Sequence, residues 1–379
     1  MASLKTLQIA GAVLWYTVQH LQRVPGPKEG ARVSVSDGKA NPEKICQSKW
    51  RRVREKRKVR KDKNGLVTTK EDLQTLPFDD NEMRCKPLED CSTSSGTAPC
   101  RKRVRSQYRR AEAELGNKYI QEELLGEGGC GSVFAGCRKA DSLPVAIKHV
   151  MKRNVFCKIM GEDGKQISVE IAVMQKLAEE KAGTSGAPVA LLDWYDLGRE
   201  LILVMERPIP SVDLYHYIEA SGGALPEEES KVIVQQLLNA LKEMEDTKIF
   251  HRDIKTENIL IQTVSSFPRV RIIDFGLSCF TGKETQFRRC FGTPDHVTPE
   301  FCRRGTYSSG SCTVWQLGIV LFEMLNRGKT FETGMFLTNK IKITKRITRN
   351  CHNFLTSCLA KNPKDRPSLE DLQQHPWIR

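Results

Sequence analysis

The chain has no apolar run long enough to span a bilayer. The stretch Ile9–Val18, near the start, is too short. Gln8 interrupts the approach to it and no clear small-residue cleavage site follows, which argues against a secretory signal. An interfacial helix or an unstructured leader is the expectation there. The thirteen cysteines form no CxxC pair and show no His/Cys spacing typical of zinc. That points to reduced thiols in a cytoplasmic or nuclear protein. No internal repeat or low-complexity block stands out. Aromatic residues are only 7% of the chain. Near the basic arm only Trp50, Phe78 and Tyr108 are available to stack on bases, so nucleic-acid binding through that arm has weak support.

Acidic residues are scarce in the first third. Residues 1–116 carry 25 Lys and Arg against 14 Asp and Glu, net +11 of the chain's +14. The excess sits in Ser48–Lys63 (SKWRRVREKRKVRKDK) and Arg101–Arg110 (RKRVRSQYRR). Such clusters read either as a solvated, unstructured arm or as patches for a nuclear import receptor or a polyanion. Ser92–Pro99 is rich in Ser, Thr, Gly and Pro and reads as linker. Beyond Leu115 the charge is nearly balanced and the remaining length supports one sizeable core. Its coarse pattern is strands up to Glu206, then helices such as Pro226–Met244, with Glu227–Glu229 in the first turn. That predicts two lobes with a site between them.

What the chain does have is a series of polar motifs set in apolar segments. Gly126-Glu127-Gly128-Gly129-Cys130-Gly131-Ser132-Val133 fits GxGxxGxV. Leu124 and Leu125 precede it, and Phe134-Ala135 follow. This predicts two strands joined by a glycine turn, whose backbone can approach phosphate oxygens without a Cβ in the way. A GxGxxG alone can also open a dinucleotide-binding helix; the alternating apolar residues after it favour the strands. Val145-Ala146-Ile147-Lys148 continues at strand period, and a lysine ending an apolar strand needs an anionic partner. Residues 167–177 read as a helix with Ile167, Ile171, Met174 and Leu177 on one stripe. Glu170 shares that face and is the expected partner. Further on, HRDIKTEN and Asp274-Phe275-Gly276 space Asp253, Asn258 and Asp274 as in sites that handle a metal-bound nucleotide and a hydroxyl acceptor.

Taken together, Gly126–Val133, Lys148, Glu170, HRDIKTEN, DFG and Thr298-Pro299-Glu300 resemble a eukaryotic protein kinase, and Lys255 resembles the serine/threonine type. LPVAIKHV, Leu191-Leu192-Asp193-Trp194, Glu206-Arg207-Pro208-Ile209-Pro210, ENILI and His375-Pro376-Trp377 look like the Pim family. The resemblance runs from about Gly116 to the end. It implies an α+β, bilobal kinase fold: an antiparallel N-lobe with one main helix (about 116–206), a hinge (about 206–210) and a mostly helical C-lobe (about 211–379). Residues 1–115 are then a basic, disordered extension. ATP and Mg2+ are the implied cofactors, proteins carrying Ser or Thr the implied substrates, and a monomer the implied state. A catalytically weak pseudokinase acting as a binding scaffold is the alternative.

The resemblance also assigns roles. Asp253 takes or orients the substrate hydroxyl proton, and Lys255 steadies the transferring phosphoryl group. Asn258 and Asp274 hold magnesium. Lys148 contacts the α- and β-phosphates and pairs with Glu170. Leu125, Gly126, Glu127, Gly128, Gly129, Cys130, Gly131 and Ser132 cover the nucleotide, while Val133, Ala146 and Leu260 sandwich the adenine. Met205 is the gatekeeper. The carbonyl of Glu206 bonds the adenine amino group, and Pro208, lacking an N–H, supplies no second hinge bond. Met174, His251 and Phe275 link the lobes, with His251 read as a packed core histidine. Asp213, Glu257 and Thr293 lie at positions that contact the protein substrate.

The chain departs from the family at several points. Cys130 replaces a loop-tip aromatic. Thr313, before Val314-Trp315, replaces the aspartate that braces the HRD turn in most kinases; Pim kinases also lack it. Between Leu277 and Phe291 the family has acids where this chain has Lys283, Arg288 and Arg289. Thr281, Thr285 and Thr293 offer hydroxyls whose phosphate Arg252 would receive. His216 and Thr256 replace family acids beside the cleft, so a weakened preference for basic residues upstream of the target is expected.

Overall fold

The structure, a computed structural model, describes residues 101–129, 131–155, 157–160, 166–179, 185–263, 267–282 and 284–379. Ile9–Val18, Ser48–Lys63 and Ser92–Pro99, together with Cys130 and Lys283, lie outside them.

The first described element is a helix, α1 (Arg101–Lys118), running directly into β1 (Tyr119–Gly128). The basic stretch 101–110, expected to belong to a disordered extension, is therefore helical. Tyr108, Ala111 and Leu115 recur at helical spacing and give α1 an inward side despite its charge. Ala111 and Leu115 lie against a cluster of Tyr119, Val145, Ile147, Tyr195, Ile202 and Val204. The Tyr108 ring lies over Gly198 so closely that a Cβ there would be 2.7 Å from it, and Gly198 adopts φ +85°. Lys118 and the Tyr119 hydroxyl both reach Asp193, at 3.6 and 2.5 Å.

The N-lobe sheet continues with β2 (Gly131–Arg138), β3 (Pro144–Met151), β6 (Leu191–Asp196) and β7 (Glu200–Glu206), in the order β1-β2-β3-β7-β6, all neighbours antiparallel. A short hairpin, β4 (Lys158–Met160) with β5 (Gln166–Ser168), precedes α2 (Val169–Glu179). The predicted helix start at Ile167 is thus two residues early. The Ser168 hydroxyl accepts the backbone N–H of Ile171 at 3.2 Å, capping the helix, and leaves Ile167 to pair with Ile159 in the hairpin.

After the hinge come β8 (Ser211–Asp213), α3 (Leu214–Ala220) and α4 (Glu227–Asp246), then β9 (Ile249–Phe250), β10 (Ile259–Gln262), β11 (Arg269–Ile272) and β12 (Cys279–Phe280). The activation segment adds β13 (Gln286–Phe287), which pairs with β14 (Tyr307–Ser308) beyond α5 (Pro299–Arg304). The C-lobe is completed by α6 (Ser309–Leu325), α7 (Thr333–Leu337), α8 (Arg349–Cys358) and α9 (Leu369–Gln373). α4 begins as predicted, with Pro226 at its N-cap and Glu227–Glu229 in the first turn, where carboxylates meet the positive helix end. One continuous apolar core joins the lobes: Val173, Met174, Leu203 and Met205 from above meet Leu237, Phe275, Trp315 and Leu317 from below. The bilobal α+β architecture agrees with the expectation from the motifs. Among the described residues no helix is long and apolar enough to cross a membrane. Seven described cysteines are not in disulfides, but Cys157 is disulfide-bonded, so the expectation of reduced thiols throughout does not hold at that position.

Candidate active site

β3 carries Lys148 between Val133 on β2 and Leu203 on β7, so its side chain leaves a buried strand toward the cleft. Its ammonium donates to Glu170 on α2 at 2.6 Å and to Asp274 at 2.9 Å. Lys148 and Glu170 are both buried and Asp274 is half-buried. Burial works against the Lys148 charge, but Glu170 and then Asp274 outweigh it and hold the amine above its ordinary value. Burial likewise opposes ionisation of Asp274, and Lys148 overcomes this and keeps the carboxyl below its usual range. Glu170 is pushed up by its own burial against the pull of Lys148. One cation thus ties the N-lobe helix to the DFG turn. Asp274 is held at φ +60°, a left-handed conformation that a non-glycine residue keeps only where its surroundings enforce it.

The HRDIKTEN loop lies between β9 and β10. Asn258 donates its amide to the Asp253 carbonyl at 2.8 Å, which leaves the Asn258 side-chain oxygen as an acceptor. The backbone N–H and the hydroxyl of Thr293 both donate to Asp253 Oδ1 at 2.8 Å. Lys255 Nζ is 3.8 Å from Asp253 Oδ2. Gly292 must be glycine: at φ +89° a Cβ would lie 2.5 Å from the Arg252 carbonyl and 3.0 Å from Asp253 Oδ1. His251 is buried with its ring 5.1 Å from Phe275 and Nε2 3.2 Å from the Ile273 carbonyl. Burial lowers its pKa, which suits the reading as a packed core histidine.

In the nucleotide cleft, β1 and β2 meet at Gly128–Gly131 around the turn at Gly129, the predicted strand–turn–strand. Leu125, Gly126, Glu127, Gly128 and Gly129 are exposed, and Ser132 donates to Glu127 at 3.3 Å. Val133, Ala146 and Leu260 are half-buried, the first two on neighbouring strands of the N-lobe sheet, with Ala146 opposite Met205, and the third on β10 below. The hinge is poor in donors. The N–H of Glu206 goes to the Ala190 carbonyl, that of Arg207 to Pro144, and Pro208 has none. The Glu206 carboxylate is clamped by Arg271 of β11 at 2.6 and 2.5 Å, pinning the hinge to the C-lobe. Sequence reasoning missed this arginine, whose alternation in RVRI gave no sign of an inward charge.

The Arg252 guanidinium is buried between the rings of Phe287 and Phe291, 4.8 and 4.6 Å from their centroids. Of the three hydroxyls, Thr281 is buried, Thr285 accepts from the Gly282 N–H at 3.1 Å, and Thr293 is bound to Asp253. Thr256 is not on the substrate-reading surface. It is 1% exposed and donates to Glu323 of α6 at 3.0 Å. Asp213 caps α3, accepting from the His216 N–H, and holds the His216 ring at 2.7 Å. Glu257 is exposed, 3.8 Å from Lys255. The end of the activation segment is anchored by Glu300, bidentate to Arg366 at 2.9 and 2.7 Å.

The protein kinase domain family model matches residues 119–378. Serine/threonine-protein kinase pim-2 of Danio rerio is 35% identical over 267 residues, covering 69% of this chain and 84% of the relative. Serine/threonine-protein kinase prk-2 of Caenorhabditis elegans is 28% identical over 277 residues, covering 71% and 60%. Sperm motility kinase 3A of Mus musculus is 27% identical over 269 residues, covering 69% and 50%, so the chain spans only part of these last two relatives. A domain match over most of the chain and a relative covered almost whole favour an active enzyme over a scaffold: the chain belongs to the protein kinase family, as a Pim-like serine/threonine kinase that uses ATP to phosphorylate proteins.

Proposed function

We propose that phosphoryl transfer runs from Mg-ATP to a Ser or Thr hydroxyl held at Asp253, and that the preference for basic target sites is weaker than in the Pim family. The observation that carries the reading is the single ammonium of Lys148 shared between Glu170 and Asp274, below the glycine turn and beside the Asp253 loop. Asp253 orients the acceptor hydroxyl and takes its proton, and Lys255 lies beside it to offset charge on the transferring group. Asn258 and Asp274 would hold magnesium: an amide oxygen and a carboxylate are hard ligands, and this ion fills its other positions with water and substrate phosphates. When bound there it neutralises developing phosphate charge. Lys148 fixes the α- and β-phosphates, and the closed Glu170 pair keeps it aimed. Adenine takes one hinge bond, from the Glu206 carbonyl, and otherwise rests on Val133, Ala146 and Leu260.

Weaker reading of basic sites follows from Asp213 and His216. The Asp213 carboxylate is already engaged by its own helix and by the His216 ring, which leaves Glu257 as the exposed acid. The test is magnesium-dependent transfer to an arginine-rich serine peptide, with Asp274→Asn as control. The variant loses at least about 100-fold, the scale of one charge-stabilising group; equal signal from both proteins overturns the assignment. A degenerate peptide library then returns a modest arginine enrichment, and either none or a strong one overturns the specificity reading.

A further inference from the structure

Asp253 projects from a strained turn. Arg252, immediately before it, has φ +72°, a strained conformation that a non-glycine residue keeps only where its neighbours enforce it. Thr313 does not brace this turn: its hydroxyl donates to Ser309 within its own helix at 2.9 Å. One turn further along α6 lies Gln316, 4% exposed in a helix that is otherwise almost wholly apolar on its buried side. Its Nε2 donates to the Arg252 carbonyl at 2.8 Å, and its Oε1 accepts the Ile254 N–H at 3.4 Å. The two ends of one amide therefore straddle Asp253, one holding the peptide before it and the other the peptide after it.

We infer that Gln316 is a positioning residue that fixes the backbone on both sides of Asp253 and so sets the aim of its carboxylate, a task the Thr313 position does not perform in this chain. The inference rests on the reading of Asp253 as the group that orients the acceptor. The chemistry is specific. The turn offers a carbonyl on one side and an N–H on the other, so the brace needs a donor and an acceptor on one side chain, which an amide has. A carboxylate fails, since it sets a second acceptor against the Arg252 carbonyl. A protonated carboxylic acid succeeds, because its O–H replaces the amide N–H.

Two substitutions test this in the full chain. Gln316→Met keeps length and burial but removes both hydrogen bonds. Its kcat falls about 10- to 100-fold while the KM for ATP stays within about threefold, the signature of an interaction that acts on the reacting group rather than on nucleotide binding. Gln316→Glu is as impaired at pH 8, but recovers relative to Gln316→Met as the pH drops to 6 and the buried acid gains its proton. The titratable neighbours, Asp253, His296, Cys290, Cys312 and Tyr307, are the same in both variants, so the difference between them belongs to residue 316. The folded fraction of each variant is measured at both pH values and kcat is expressed per folded molecule, so partial unfolding does not hide the result. A Gln316→Met enzyme with wild-type kcat, or a ratio of kcat at pH 6 to that at pH 8 the same for Met and Glu, overturns the inference. Full activity in Asp253→Asn would instead remove the reading of Asp253 on which it rests.

Discussion

Replacing Glu323 with glutamine makes the protein more stable at pH 8 and changes it little at pH 5. Glu323 lies in α6, where its carboxyl accepts the Phe331 N–H at 2.9 Å and the Thr256 hydroxyl at 3.0 Å, with His296 Nε2 at 3.9 Å. Burial pushes its pKa from 4.5 to about 7. A carboxyl whose folded value lies above its unfolded one favours the folded state fully below about pH 4.5. That advantage is lost as the pH rises through about 7, because the folded protein must then keep a buried charge that the unfolded chain exposes to water. The gap of about 2.5 units is worth about 3 kcal/mol, at 1.36 kcal/mol per unit, and about 2–3 kcal/mol of it falls between pH 5 and pH 8. Glutamine has the same shape, keeps an acceptor for Phe331 and carries no charge at either pH. His296, itself lowered by burial, adds an opposite trend on the acid side. Thermal unfolding of the two proteins at both pH values is the assay. In a unit of this size the variant's Tm exceeds that of the parent by about 5–10 °C more at pH 8 than at pH 5. A Tm difference that does not change with pH refutes the reasoning, since the carboxyl would then titrate in the ordinary range.

Two other expectations concern the hinge and the first helix. Pro208→Ala restores a backbone N–H in the hinge, and the KM for ATP falls about 2- to 10-fold, the worth of one hydrogen bond at about 0.5–1.5 kcal/mol; steady-state kinetics showing no fall would mean the hinge N–H is not aimed at the nucleotide. Tyr108→Ala strips the ring that covers Gly198 and stands 5.7 Å above Lys152. It costs about 1–2 kcal/mol and lowers Tm by about 3–6 °C, whereas an unchanged Tm would mean that α1 does not stay docked on the N-lobe.

The short motifs were legible because their chemistry depends on spacing along the chain. HRDIKTEN and DFG put Asp253, Asn258 and Asp274 within one loop and one turn, and Lys148 announced its need for a partner by sitting in an apolar strand, which the fold continues to Met151. What stayed hidden depended on the third dimension. α1 was masked by its own charge, and the spacing of Tyr108, Ala111 and Leu115 was the overlooked signal. Gln316 and Glu323 are two polar residues inside an apolar helix, seven apart and so on the same face. Neither belongs to a motif that the sequence brings out. In the fold, one holds the turn around Asp253 and the other holds Thr256, so the stripe they form is the floor of the catalytic loop. The inward turn of Thr256 was beyond sequence reasoning for the same reason, since its acceptor is 67 residues away.

The seat of Arg252 between Phe287 and Phe291 is a contact that needs no modification to form. A guanidinium paired with phosphate is a bond that one enzyme writes and another erases, and dissolved salt weakens it. A guanidinium held by two carbon rings is acquired once, when the chain folds, and a phosphatase finds nothing there to remove. Neutral rings are also less sensitive to ionic strength than a charged partner. The activation segment of this protein thus carries one ordering contact in its own side chains, and that contact is inherited with the sequence.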